Sequence, residues 1–405
     1  MNTARLIAAT FILSFGQTVF AANVELLRPP LGAQTSLSRL TVDQTGQVYL
    51  SWVKSAGNMN SLYHASFHEE KWSNAGLIGE GDDWFVNWAD FPFLAVNETG
   101  MAAHWPQMSS TGTYDYDVVG TFYSTATNTW TEPAVIHTDG VSAEHGFVSM
   151  LPMSQGRTFI SWLDGRNTRQ AESASPAATH HSGHSPGGMT LRAGIFSSTG
   201  QPLEEWELDN LVCDCCQTSS AMTESGPVVV YRNRTENEIR DTYITRIVDG
   251  QWSKPIPVHN DHWQISGCPV NGPSVASRSG TIAVTWFTAA DDIPRVNLAL
   301  SKDEGKTFSQ PILIADNNTS GRLSIAILDS SDIAVSWLET HGAAATVKLG
   351  LYDNQGHLKQ SLSIADTKSS RRSGFPVITS SGNDVYVTWT DVSAEPQVKV
   401  ARVRF

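Results

Sequence analysis

A strand-like run that ends in an aromatic residue occurs seven times along the chain, and this repeat restricts the fold more than any other feature. Examples are "QVYLSWVK", "TIAVTWFT" and "DVYVTWTD". The aromatic residues that mark the copies are Trp52, Trp105, Trp162, Tyr231, Trp286, Trp337 and Trp389. They recur roughly 50 to 70 residues apart, a spacing typical of repeat units that bury their apolar faces against neighbouring units. We therefore expect these aromatic side chains to lie in the core between units.

Each copy has the same internal order of strands and turns. A short strand, a turn rich in Gly, Asp or Asn, the aromatic-ended strand, a polar loop, a third strand, another turn and a fourth strand follow one another. Such runs predict antiparallel strands, and four-stranded units of this length are β-propeller blades. We predict an all-β propeller with seven blades, six being the alternative count. A pair of β-sandwiches would not require seven matching aromatic residues.

The two ends of the repeat region complement each other. The last copy stops at "QVKVARVRF", which is its third strand, and "NVELLR" is a spare strand before the first copy. Pairing of these segments would complete the last blade and remove two open sheet edges. We therefore expect residues 23–28 to pair beside residues 397–405, in a single propeller domain spanning residues 23–405.

The first 22 residues have the features of a secretory signal peptide. Arg5 supplies a positive charge, an apolar core runs from Leu6 to about Phe15, and small residues follow in "VFAA". The apolar run is too short to span a bilayer. We expect a mature chain that is periplasmic or secreted and not inserted in a membrane. The net charge of −13 argues against nucleic acid as a partner.

One turn supports a resemblance to a known superfamily. The string "SKDEGKTF", from Ser301 to Phe308, matches the pattern S-x-D-x-G-x-T-W/F. By this motif and its blade pattern, the chain resembles the sialidase-like (BNR repeat, Asp-box) β-propellers. The resemblance implies that the motif is a structural turn between the third and fourth strands. Sialidases of this superfamily have six blades and an F/Y-R-I-P motif, whereas this chain has seven copies and only "LLRPP" around Arg28.

The four cysteines occupy two places that a propeller would bring together. In a blade, the loop leading into the first strand lies on the same face as the loop between the second and third strands. Cys213, Cys215 and Cys216 lead into the first strand of blade four, and Cys268 leads into that of blade five. We therefore expect all four thiols to meet at the mouth of the central channel.

Clustered thiols in an exported protein favour a metal site. Thiolates bind soft ions such as Cu(I) and also bind zinc, and the paired C-x-x-C strings usual for zinc are absent, so copper is favoured. Imidazole and thioether ligands could come from neighbouring loops and from the long loop of blade three, namely from His145, His262, His180, His181, His184 and Met189. The alternatives are two structural disulfides and a reactive dithiol.

Charged residues on the same face allow a different function. Arginine side chains match carboxylates, and two carboxyl groups could act as acid and base on a glycosidic bond. The residues with these properties are Asp164, Arg166, Arg232, Arg234, Arg240 and Asp241. They predict either a sialidase-like glycoside hydrolase acting on an anionic sugar or, more simply, salt bridges between loops. A scaffold that binds another protein, with structural disulfides, is a further alternative.

Overall fold

The computed structural model describes residues 22–169 and 187–405, which form seven antiparallel sheets. The first strands of neighbouring sheets contact one another in a closed ring, so the sheets are the blades of a seven-bladed β-propeller. The predicted blade number is confirmed. Residues 1–21 of the predicted signal peptide lie outside the described residues. Within the described ranges, no helix is long and apolar enough to cross a membrane.

The first three blades follow one another from the N-terminal side, each with its first strand innermost. Blade one contains β2 (Thr35–Val42), β3 (Val48–Ala56), β4 (Met59–His68), β5 (Lys71–Trp72) and β6 (Gly76–Gly81). Blade two contains β7 (Phe93–Asn97), β8 (Gly100–Met108), β9 (Tyr116–Ser124), β10 (Thr129–Trp130) and β11 (Ala134–Val135). Blade three contains β12 (His145–Pro152), β13 (Thr158–Asp164), β14 (Met189–Phe196) and β15 (Pro202–Val212).

The remaining four blades complete the ring. Blade four contains β16 (Ser219–Met222), β17 (Pro227–Arg232), β18 (Thr242–Val248), β19 (Gln251–Trp252) and β20 (Ile256–Pro257). Blade five contains β21 (Ser274–Arg278), β22 (Thr281–Thr288), β23 (Arg295–Ser301) and β24 (Ile312–Asp316). Blade six contains β25 (Ser324–Ile327), β26 (Ile333–His341), β27 (Ala344–Tyr352) and β28 (Leu358–Lys368). Blade seven contains β29 (Val377–Ser381), β30 (Asp384–Asp391), β31 (Gln397–Arg404) and β1 (Asn23–Leu27). Short 3₁₀ helices are described at Ser154–Gly156, Ala290–Asp292 and Arg371–Ser373.

The seven repeated aromatic residues form the core between blades, as the sequence predicts. Each lies in the second strand of its blade, and the most exposed of them, Trp337 and Trp389, are only 4% exposed. Trp162 of blade three packs in one cluster with Val118 of blade two, so the apolar core is shared by adjacent blades. The β-strand alternation that points one face of a blade at its neighbour explains the repeated aromatic position.

The ring closes through the two chain ends. β1 pairs antiparallel with β31 from Asn23 opposite Arg404 to Leu27 opposite Val400. Arg402 donates to Glu25 at 2.7 Å and to Glu70 of blade one at 2.6 Å. The predicted closure of the last blade by the N-terminal strand is confirmed.

The turn between β23 and β24 is held by its own polar side chains. The carboxylate of Asp303 accepts hydrogen bonds from the amide and hydroxyl of Thr307 at 3.0 and 2.7 Å. The hydroxyl of Ser301 accepts from the amide of Gly305, whose φ of +81° favours glycine. Burial opposes ionisation of Asp303, but the hydrogen bonds from Thr307 outweigh it and lower the pKa to about 2. All of these groups are engaged in the turn itself.

Candidate metal centre

The two cysteine-containing loops are fixed on the blades that flank them. The loop from Cys213 to Cys216 connects the outer strand of blade three to the inner strand of blade four. The amide of Cys213 donates to the carbonyl oxygen of Arg232 at 3.0 Å. Gln217 links this loop to the one containing Cys268, because its side-chain oxygen accepts from the amide of Gly272 at 2.9 Å. The sulfur atoms are therefore positioned by backbone bonds of adjacent blades.

Three of the four thiols converge on one point. The Sγ atoms of Cys213, Cys215 and Cys216 all lie within 4.8 Å of one another, and those of Cys213 and Cys216 are 3.4 Å apart. Cys213 and Cys216 are buried, Cys215 is half-buried, and Cys268 is exposed. Cys268 lies at the rim of this group, close enough to Cys215 to help raise the pKa of that thiol. The structure thus brings the two distant cysteine strings together, and all four cysteines carry free thiols in it.

The charges around the thiols favour one thiolate. The Nη1 group of Arg240 donates to Cys213 Sγ at 3.2 Å. Burial opposes ionisation of Cys213, but hydrogen bonds from Cys215 and Cys216 and the charges of Arg240 and Arg232 outweigh it, and the pKa falls well below its usual value. Hydrogen bonds to Cys213 and Cys216 raise the pKa of Cys215, and burial raises that of Cys216. Of the three thiols, that of Cys213 is therefore the most readily ionised.

This donor set fits a metal ion. Zinc–sulfur bonds of about 2.3 Å place tetrahedral sulfur ligands about 3.8 Å apart. The Sγ atoms of Cys213 and Cys216 are 3.4 Å apart, and all three sulfur atoms lie within 4.8 Å of one another. An ion would displace the two remaining thiol protons. The three thiols could therefore hold a metal ion with little rearrangement.

The arginines of blade four do not form an open anion clamp. Arg234 pairs with Glu238 at 2.7 Å and with Asp214 at 3.3 Å, and Arg240 pairs with the other oxygen of Glu238 at 2.8 Å. Asp241 accepts hydrogen bonds from the amides of residues 262 and 263, at 3.0 Å each. These predicted catalytic residues instead tie neighbouring loops to each other.

Arg232 is likewise engaged by groups of neighbouring loops and does not form part of an open anion site. It is 1% exposed, and its guanidinium donates to the carbonyl oxygens of Asn271, Arg240 and Phe287 at 2.6 to 2.8 Å. It also lies 4.9 Å from the ring centre of Trp263. Its positive charge stabilises the nearby Cys213 thiolate, but its donors face backbone groups of blades four and five.

Asp164 and Arg166 form a bidentate ion pair. Both nitrogen-to-oxygen distances are 2.7 Å, and Asp164 is fully buried. Burial would raise the pKa of Asp164, but the hydrogen bonds from Arg166 and the charge of His145 lower it to about 2. Asp164 is therefore an ionised hydrogen-bond acceptor near neutral pH and is poorly suited to donate a proton.

The structure places His145 away from the cysteines. Its imidazole lies 3.1 Å from Asp139 and 3.4 Å from Asp117, in the interface between blades two and three. Adjacent side chains of an extended chain point to opposite sides. The side chain on the cysteine side is that of the preceding residue, Glu144, whose pKa is raised in part by the charge of Cys268. Burial lowers the pKa of His145, but Asp117, Asp164 and Asp139 outweigh it and raise the pKa.

The other predicted ligands divide into three groups. His262 is exposed and is bonded through its backbone amide, with no described contact from its ring to a thiol. Met189 is 1% exposed in the apolar core of blade three, where it fills space beside Leu191. His180, His181 and His184 lie outside the described residues. Among the predicted ligands that the structure describes, only cysteines converge at the thiol group.

Sequence reasoning missed a cationic position on the innermost strand of blade one. The guanidinium of Arg39 lies 4.0 Å from the ring centre of Phe93 and 5.1 Å from that of Phe91. Burial lowers its pKa to about 9, and no carboxylate of the described residues pairs with it. Cys215 packs against the apolar cluster that includes Phe91. A bulge after Ser36 sets the direction of this side chain, and strand patterns do not reveal bulges.

Comparison with known proteins supports the propeller fold but does not indicate a particular function. Neither a protein-family model nor a curated protein sequence matches this chain. A protein of unknown function from Dyadobacter fermentans matches with a TM-score of 0.52 and 11% identity over 95% of this chain and 99% of its own. The Hadza microbial sialidase Hz136 matches with a TM-score of 0.51 and 12% identity over 88% of this chain and 76% of its own. The fold is thus shared with a sialidase, while at these identities the chemistry must be argued from the site.

Proposed function

We propose that this protein is exported and binds a soft metal ion, copper as Cu(I) ahead of zinc, through Cys213, Cys215 and Cys216. The proposal rests on the convergence of their three sulfur atoms within 4.8 Å around a thiolate that Arg240 stabilises. Cys268 occupies the exposed rim and exchanges the ion with the buried thiols. The predicted signal peptide supports export.

The number of donors favours copper. Zinc in structural sites is almost always four-coordinate, whereas three thiols lie close together here and the fourth stands at the rim. Thiolates are preferred ligands of Cu(I). The positive charges of Arg240 and Arg232 offset the excess negative charge of a tris-thiolate copper centre.

Burial suits a site that must keep its thiols reduced outside the cytoplasm. Cys213 and Cys216 are 0% and 1% exposed, so oxidants reach them poorly. The half-buried Cys215 and the exposed Cys268 provide a path of ligand exchange between solvent and the buried sulfur atoms.

Competition titration tests the proposal. Reduced protein comprising residues 23–405 is titrated anaerobically with Cu(I) against a chromogenic chelator, and we expect one ion per chain. Cys215→Ser should weaken binding by roughly 100-fold, and Cys268→Ser by about 10-fold, because a lost primary ligand costs more than a lost rim contact. Met59→Leu, which removes an exposed sulfur elsewhere, is the matched control. A reduced wild type that binds neither copper nor zinc would favour the disulfide alternative.

A second function is favoured by Arg39, which has no carboxylate partner among the described residues. A buried guanidinium without a counterion is costly, so an anionic ligand that reaches the channel would be attracted to it. Arg322 and Arg371 lie over Trp88, at 4.7 and 5.8 Å from its ring centre, and add positive charge near the channel mouth. We therefore keep an anionic sugar, bound or hydrolysed at this place, as the alternative function.

A further inference from the structure

Two buried histidines stack between blades two and three, away from the thiols. His145 begins β12, and His137 lies in the loop before it; their ring centres are 3.8 Å apart and their planes differ by 15°. The side chains are 0% and 2% exposed, respectively.

Several polar atoms of this pair have no hydrogen bond within the described part of the chain. Three of them face one another, namely Nε2 of His137, Nδ1 of His145 and Oδ1 of Asp117. A buried polar group left without a partner costs about 1 to 3 kcal/mol. Three such atoms at one place call for a ligand that satisfies them together.

A single carboxylate orients both rings. Asp139 Oδ2 lies 3.1 Å from Nε2 of His145 and 3.3 Å from Nδ1 of His137. A proton on each ring nitrogen that faces this oxygen leaves the other nitrogen of each ring with a lone pair. Carboxylates that hold the remote nitrogen of a histidine in this way are typical of metal-binding imidazoles. Arg166 Nη2 lies 3.0 Å from the same Asp139 oxygen and forms an ion pair with it.

The two lone pairs face one carboxylate oxygen. Asp117 Oδ1 lies 3.5 Å from Nε2 of His137 and 3.4 Å from Nδ1 of His145. Metal bonds of about 2.0 to 2.1 Å in a tetrahedral site place nitrogen and oxygen ligands about 3.3 to 3.4 Å apart. The separations already match those around a bound ion. Small opposite turns of the stacked rings about their Cβ–Cγ bonds, which are soft torsions, bring each lone pair onto the ion.

We propose that Asp117, His137 and His145 form a second metal site, which takes a borderline divalent cation of the Zn²⁺ class. Two imidazoles and one carboxylate suit such ions and not the soft Cu(I) of the thiol group. Three protein ligands leave a further position for water or another small ligand. The Asp117 side chain is 19% exposed, which gives this position a way to solvent.

The site is tested in protein that lacks the thiol group. The full mature chain carrying Cys213→Ser, Cys215→Ser and Cys216→Ser is titrated with Zn²⁺ by calorimetry, after its folding has been checked by tryptophan fluorescence. We expect one ion per chain, and His137→Gln in that background should weaken binding by roughly 100-fold. His259→Gln is the matched control, because His259 lies beside a single carboxylate, Asp261, and should leave binding unchanged. A folded triple variant that binds no Zn²⁺ would overturn the proposal and leave the cluster as a buried ion-pair network.

A spectrum of the wild type decides the matter if the triple variant does not fold. Co²⁺ replaces Zn²⁺ and gives visible d–d bands at any tetrahedral site, but thiolate-to-metal charge-transfer bands only at sulfur ligands. We expect His137→Gln to remove part of the d–d intensity and to leave the charge-transfer bands unchanged. Spectra of wild type and His137→Gln that coincide would contradict the second site.

Discussion

Replacing Arg232 with methionine should strongly destabilise the propeller, because this guanidinium joins the backbones of blades four and five. Its Nη1 group donates to Arg240 O at 2.6 Å, and its Nη2 group donates to Asn271 O and Phe287 O at 2.8 and 2.7 Å. Methionine retains much of the length of the side chain but has no donor. Three buried carbonyl groups therefore lose their charged partner.

The magnitude follows from those three bonds. A buried acceptor that loses its partner costs about 1 to 3 kcal/mol, and removing a buried charge returns part of its desolvation cost. We expect a net loss of about 3 kcal/mol, a large share of the roughly 5 to 15 kcal/mol by which folded proteins are stable.

Denaturant unfolding followed by tryptophan fluorescence, in reduced and metal-free protein, measures this loss. Arg157→Met is the control, because Arg157 bonds only near the surface of blade three and should change stability by less than about 0.5 kcal/mol. An Arg232→Met variant as stable as the control would refute the structural role. It would also restore Arg232 as a candidate for binding an anionic substrate.

Three further outcomes are expected. Deleting residues 23–27 removes the five-residue pairing of β1 with β31 and should lower the melting temperature by roughly 5 to 10 °C; an unchanged melting temperature would contradict ring closure by this strand. Burial raises the pKa of Asp90 to about 7 in the folded protein, whereas it is about 4 in the unfolded chain. The contribution of Asp90 to the free energy of unfolding is therefore fully present below about pH 4 and is lost as the pH rises through about 7. Asp90→Asn should flatten the dependence of stability on pH between 4 and 8, and an equal slope would show that another group causes it. If the channel binds an anionic sugar, release from a fluorogenic sialoside should fall in Arg39→Met; no release by wild type above a protein-free blank removes the sialidase alternative for sialosides.

The fold could be predicted from the sequence because each blade repeats one physical requirement. A large aromatic side chain in the second strand fills the space to the next blade, so Trp52 and Trp286 occupy equivalent buried positions. The meeting of Cys268 with Cys215 was predictable for a related reason, since both strings precede an innermost strand. Arrangements fixed by topology can be inferred from spacing alone.

The rest of the site depends on details that spacing does not contain. Glu144 and His145 are neighbours, and the register of a single residue decides which one faces the cysteine side. The partners of Arg232 are backbone carbonyl groups, which have no sequence signature. His137 and Asp117 come from a loop and a strand of blade two, and only the spacing of "HTD" before His145 hinted at a joint site.

Metal analysis of the natural protein tests the central claim most directly. The protein is purified anaerobically from the cells that produce it and from their medium, its metals are determined by mass spectrometry, and its thiols are counted in denaturant before and after treatment with a strong copper chelator. The account predicts about one copper per chain and four thiols, of which those of Cys213, Cys215 and Cys216 react only once the copper has been removed. Metal-free protein whose four cysteines form two disulfides would contradict it.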